Sequence, residues 1–117
     1  MKQSKDNSIY LEDFRVVDSD GSIAKVFTGR DRGVDVRVAS NIDDIESKYN
    51  EVNIVIPELI YSINPSFFEE LFLNVVLKLG REKFMEKFKF SSLGGYKYEK
   101  PLAEAVARIL RKKTAIG

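Results

Sequence analysis

The strongest constraint on the fold is the short run Val52-Asn53-Ile54-Val55-Ile56, closed by Pro57. It is too short for a typical helix and rich in β-branched residues, so it suits a central strand buried on both faces. A strand of that kind needs flanking layers. The residues that follow supply one, because Asn64-Pro65-Ser66 reads as a helix entry. Asn64 is the N-cap, and Pro65 takes the first helical position, where its missing N–H costs nothing. From 65 to 79 an apolar stripe of Phe68, Leu71, Phe72, Val75, Val76 and Leu79 faces inward, and Gly80 is placed as the stop.

The basic segment Arg81 to Lys87 leads into Phe88-Lys89-Phe90, whose alternation predicts a last strand closed by Gly94-Gly95. Leu102, Ala105, Val106, Ile109 and Leu110 then define an amphipathic helix over about 99 to 113. Before the central strand the pattern is less regular. Residues 1–7 are polar and expected to fray. Ile9, Leu11 and Phe14 predict a strand with Tyr10 on its other face, and the turn formers Asp18 to Ser22 precede Ile23, Ala24, Val26 and Phe27. Together they predict a β-hairpin over 8–28. Thr28 and Asp31 resemble a capping box, and Val34, Val38, Ile42 and Ile45 recur at helical spacing, with a break expected near Ser40-Asn41.

The expected fold is therefore α/β, one domain over 8–117 in the order β-β-α-β-α-β-α. About three helices pack on a mixed sheet of about four strands, the N-terminal hairpin supplying an antiparallel edge. A chain of 117 residues can enclose one core of useful size.

Composition narrows the chemistry. There is no cysteine and no histidine, so disulfides, thiolate nucleophiles, the commonest general base and the two favoured zinc ligands are all missing. No triad, metal set or phosphate loop can be assembled, and the chain is read as a non-enzyme without cofactor or metal. Nineteen Lys and Arg against eighteen Asp and Glu give a net charge of +1, too weak a field to draw in nucleic acid or an anionic membrane. The opening MKQSKDNS has no apolar core, and no apolar run approaches the roughly 20 residues of a membrane span, so a cytoplasmic location is expected. The neighbouring carboxylates Asp43-Asp44 and Glu69-Glu70 diverge by about 100° on a helix and read as solvated faces. Gly29-x-x-x-Gly33 and Gly94-Gly95 lack a nucleotide-loop pattern.

Ser66-Phe67, Glu70-Leu71, Leu79-Gly80 and Lys83-Phe84 follow one another between a hydrophobic strand and a Lys-Phe-rich turn into the next strand. In order and spacing this resembles the STAS-like domain family of unknown function, related to anti-anti-sigma factor STAS domains. The Thr28-Gly29-Arg30-Asp31-Arg32-Gly33 stretch is similar to the segment that opens the first helix there. The resemblance implies a regulatory module partnered by a histidine-kinase-like ATPase in a switching pair, with Ser66 as the phosphoacceptor.

Ser66 is also an ordinary first-turn residue whose hydroxyl can satisfy helix amides. A phosphate on it would crowd Glu69 and Glu70. On a single 65–79 helix Ser66, Glu70, Leu73 and Leu77 share an outer side, and these four are the expected partner-binding residues. The competing expectation is that another segment of the same chain covers the two leucines. The runner-up function is a nucleic-acid accessory protein using Arg108, Arg111, Lys112 and Lys113, with Lys97 and Lys100 beside Tyr96 and Tyr98; the alternative for that cluster is a solvated, dipole-complementing helix end.

Overall fold

The computed structural model describes residues 7–15, 20–21, 25–27 and 29–116, the last four through their backbone. β3 (Val52–Ile56) is central, as its composition requires, and all five of its residues are buried. It lies in a three-stranded parallel sheet between β1 (Ser8–Tyr10) and β5 (Phe88–Ser92). Ser8, Ile9 and Tyr10 stand opposite Asn53, Ile54 and Val55, while Phe88 to Ser92 run in register with Val52 to Ile56. Strand alternation sorts the two faces. Ile9, Val52, Ile54, Ile56 and Phe88 enter the main core; Tyr10 and Val55 point the other way.

Among the described residues the expected N-terminal hairpin does not form. β1 pairs in parallel with β3, and β2 (Val26–Phe27) pairs in parallel with β4 (Ser62–Ile63) in a separate sheet of two strands. Two small parallel sheets thus replace the mixed sheet of four strands, and no antiparallel edge occurs among the described residues. The physical reason lies in β3, whose buried backbone needs partners on both sides; β1 satisfies one side and β5 the other. Most of the turn-rich stretch 18–22, and Thr28 with its expected cap, lie outside the described residues. After β1 the chain tightens into a 3-10 turn, Leu11–Phe14, that buries Leu11 completely. Asn7, expected to fray, instead donates its side-chain amide to the Glu51 carbonyl at 2.8 Å.

α1 (Arg30–Ser40) and α2 (Ile42–Lys48) divide at Asn41, whose left-handed conformation (φ 61°) closes the first helix where a break was expected. The N-cap of α1 is Gly29, at φ 89°. Its inward face also differs from the expected one. Gly33 and Val36 are buried, whereas Val38 is 73% exposed. Gly33 decides this: a Cβ there would lie 2.5 Å from the Phe67 carbonyl oxygen and 2.7 Å from Glu70 Cβ. The glycine lets the next helix approach closely, so its own side of α1 turns inward.

The expected 65–79 helix is bent into two. α3 (Pro65–Leu71) and α4 (Leu73–Lys87) meet at Phe72, with Phe72 N–H bonded to the Phe68 carbonyl and Val76 N–H to the Phe72 carbonyl, both at 2.9 Å. Asn64 caps α3 as expected, its side-chain oxygen accepting the Ser66 amide at 2.8 Å. Gly80 leaves helical geometry (φ 81°, ψ 169°), so the stop predicted there is real, and Arg81 to Lys87 continue as a second helical stretch up to β5. The stripe Phe68, Leu71, Phe72, Val75 and Val76 is buried. Phe72 anchors it, its ring centroid 5.2–5.9 Å from those of Phe84, Phe88 and Phe90. α5 (Glu99–Ile116) lays Leu102, Ala105, Val106 and Ile109 against α3 and α4.

Both parallel crossovers step the same way across the sheet, and right-handed connections then bring their helices to one face. α1 packs on α3, and α3 on α5. No helix among the described residues is long and apolar enough to cross a membrane.

Candidate functional site at the C-terminal edge of the sheet

Two regions gather chemically active side chains: the seam between α1, α3 and α5, and the edge where the parallel strands end.

At the seam, Glu69 is fully buried, in contrast to the solvated face expected of Glu69-Glu70. Arg30 from α1 reaches its carboxylate at 3.1 Å and Arg108 from α5 lies at 3.7 Å, with Lys112 also paired to it. Burial raises the Glu69 pKa, but Lys112 and Arg30 outweigh it and hold the carboxyl below the ordinary range. Glu70 is clamped as well. Arg30 pairs with it at 3.2 Å, and Arg37 donates to its main-chain oxygen at 2.6 Å. A second buried carboxylate, Glu46 on α2, is paired at 2.7 Å with both Lys78 and Lys87. Burial pushes its pKa up and the two ammonium groups more than reverse the effect.

This geometry redistributes the residues expected at an interface. Ser66 is half-buried at the start of α3, and Glu70 faces α1 through its ion pairs. Leu73 and Leu77 belong to α4, beyond the bend, and are partly buried against the chain's own core. The four do not form a free outer side, because α1 covers Glu70 through Arg30 and Arg37 and the chain's own core partly covers Leu73 and Leu77. The second expectation for the leucines, cover from the same chain, describes them better. The basic patch is likewise divided. Arg108 and Lys112 turn to Glu69, Arg108 also pairs with Glu104 at 2.6 Å, Arg111 is exposed, and the Lys113 side chain lies outside the described residues.

The strand edge is different in character. Tyr10, Val55 and Leu93 come from the ends of β1 and β3 and the residue after β5, and they line a crevice of about 510 Å³ with Pro57, Glu58, Glu12 and Asp13. In parallel α/β sheets ligands bind beyond the carboxyl ends of the strands, where connecting loops are free to diverge. The loops here are tied to each other. Leu93 N–H bonds the Ile56 carbonyl at 2.9 Å, and Gly94 packs so closely on Glu58 that a Cβ would lie 3.0 Å from the Glu58 Cα. Arg15 reaches up from below, donating to the Glu58 carbonyl and pairing with Glu12 at 3.2 Å.

On this frame large apolar side chains face solvent: Leu59 is 63% exposed and Leu93 62%, while Tyr61, 70% exposed, lies beside the β2–β4 pair. Leu59 is also held at φ 58°, a left-handed conformation that bulky residues rarely adopt. Lys25 lies over the Tyr61 ring, 5.2 Å from its centroid. The sequence does not reveal this site because its residues come from three separate segments, around residues 10–13, 55–58 and 93. The available signal was Pro57-Glu58 directly after the central strand, which marks that strand's carboxyl end.

Compared with protein-family models, with curated proteins and with solved structures, the chain matches none.

Proposed function

We propose that this chain is a STAS-like, non-enzymatic regulatory module of the cytoplasm that docks a protein partner through the carboxyl-end edge of its sheet. The observation that carries the reading is the exposure of Leu59 and Leu93 on loops locked together beside a crevice. Exposed apolar side chains on a rigid frame are what a partner surface buries, and a strained residue such as Leu59 is typically retained where function needs it. The STAS-like part of the proposal rests on the pattern Ser66-Phe67, Glu70-Leu71 and Leu79-Gly80. Its positions have structural work here: Phe67 fills the core, Glu70 ties α3 to α1, and Gly80 interrupts α4.

A histidine-kinase-like ATPase is the partner the resemblance suggests, with Ser66 as the phosphorylated residue. A phosphate on Ser66 would stand one turn before Glu69 and Glu70 and compete with them for Arg30. Switching would then act through the α1–α3–α5 seam. Nucleic-acid binding is the weaker reading, since Arg108 and Lys112 already serve Glu69.

The test is recovery of the partner from the source cells with Leu59→Asp/Leu93→Asp beside the unmodified chain. Both positions are exposed, so thermal unfolding should be nearly unchanged while the partner is lost. Identification of that partner as an ATPase that phosphorylates Ser66 would establish the switching pair. Retention of the partner by the double variant would place docking elsewhere and end the proposal.

A further inference from the structure

The rim of the strand-edge crevice is acidic while its floor is apolar and aromatic, and from this we infer that the partner segment it accepts is cationic: an arginine or lysine flanked by apolar residues. The inference rests on the docking reading above and adds the chemistry of the occupant. Three carboxylates, Glu12, Asp13 and Glu58, line the crevice against one guanidinium, Arg15, whose side chain is 6% exposed and already engaged with Glu12. A net charge of −2 therefore remains at the rim. Among the described residues, neither Asp13 nor Glu58 has an ion-pair partner for its side chain.

This contrasts with the carboxylates held between the helices. Glu46, Glu69 and Glu70 are each satisfied by cations of the same chain. At the crevice Asp13 and Glu58 are left open, on a protein whose overall charge is +1. The local field is thus opposite in sign to the whole and would steer a basic segment to this edge.

The floor fits the same occupant. Tyr10 offers an aromatic ring for a cation, the buried Val55 and Pro57 form the apolar base, and the exposed Leu93 at the side offers surface for the methylene stem of an arginine or lysine. Beside them Leu59 stands clear of the protein, available to a neighbouring apolar residue of the same segment. A second copy of this chain is a poorer occupant, because two acidic rims facing each other would repel.

A phage-displayed library of random dodecapeptides, panned against the intact chain, tests the inference. Selected peptides should carry Arg or Lys next to an apolar residue. As labelled peptides they should lose about tenfold in affinity for Asp13→Lys/Glu58→Lys, with binding weakened by added salt. They should also lose affinity for Leu93→Asp and keep it for Arg111→Glu. Peptides that need Leu93 but carry no positive charge and ignore the charge reversal would overturn the cationic inference and leave docking at this edge intact. Failure to select any Leu93-dependent peptide would count against both. Self-association lost in Leu93→Asp, read by sedimentation, would make a second copy the occupant and overturn the inference as well.

Discussion

Gly33 shows how one residue fixes the relation between two helices. A Cβ at this position meets a main-chain oxygen at 2.5 Å and the first side-chain carbon of Glu70 at 2.7 Å, neither of which can swing aside. Gly33→Ala should therefore lower stability by about 2 kcal/mol or more, because α1 must move off α3 and the Arg37 contact to the Glu70 carbonyl is stretched. Urea unfolding measures the loss; a midpoint equal to that of the unmodified chain would show that the seam has slack. Leu59 makes the opposite case. Replacing it with glycine relieves the cost of φ 58° and should raise stability by about 1 kcal/mol while weakening partner binding. From sequence, Gly33 reads only as a weak point in a helix, since the atoms it makes room for belong to residues 67 and 70. Leu59 gives no signal at all, because its conformation is imposed by the loop around it.

Among the elements, the seam of α1, α3 and α5 is organised around Glu69. Its three cations are 35–50% exposed, so they can return to water when the carboxylate is removed. Glu69→Gln should then cost about 2 kcal/mol, less than breaking a fully buried pair. Acid should act through the same group. The folded pKa of Glu69, like that of Glu46, lies below that of an unfolded glutamate, about 4.3, so the unfolded chain binds more protons in between. The stabilisation is present above about pH 4.3 and is lost as pH falls through the lower folded values. A series of unfolding midpoints from pH 7 downward should fall in that acid range, with a shallower slope in Glu46→Gln/Glu69→Gln. An equal slope in the double variant would assign the acid sensitivity to other carboxylates. Helical periodicity marked α5 and the apolar stripe of α3 and α4 because both patterns are local. It gave the wrong expectation for Glu69 because a pair of adjacent acids looks solvated until three cations from two other segments converge on it.

Over the whole molecule, the same division between local and distant information governs what could be read in advance. The β3, β5 and α5 elements, the Asn64 cap and the Gly80 stop were legible because each depends on a few neighbouring residues. The pairing of β1 with β3 was not, since Ile9 finds Ile54 across the intervening β2, α1 and α2, and the turn formers between them favour a hairpin on local grounds. The strand-edge crevice inherits that difficulty: its walls exist only once β1, β3 and β5 stand side by side. α5 is not part of this sheet, yet the sheet's helical cover depends on it. Leu102, Ala105, Val106 and Ile109 are at most 3% exposed, and Arg108 and Lys112 supply two of the three charges facing Glu69. A chain ending after Gly95 would uncover the α3–α4 stripe and leave Glu69 with Arg30 alone. It should keep much of its helical far-ultraviolet signal, lose a cooperative unfolding transition and bind a hydrophobic dye. If the shortened chain instead unfolded cooperatively near the midpoint of the full one, α5 would be an appendage, and the seam could not carry a signal from Ser66 to the rest of the domain.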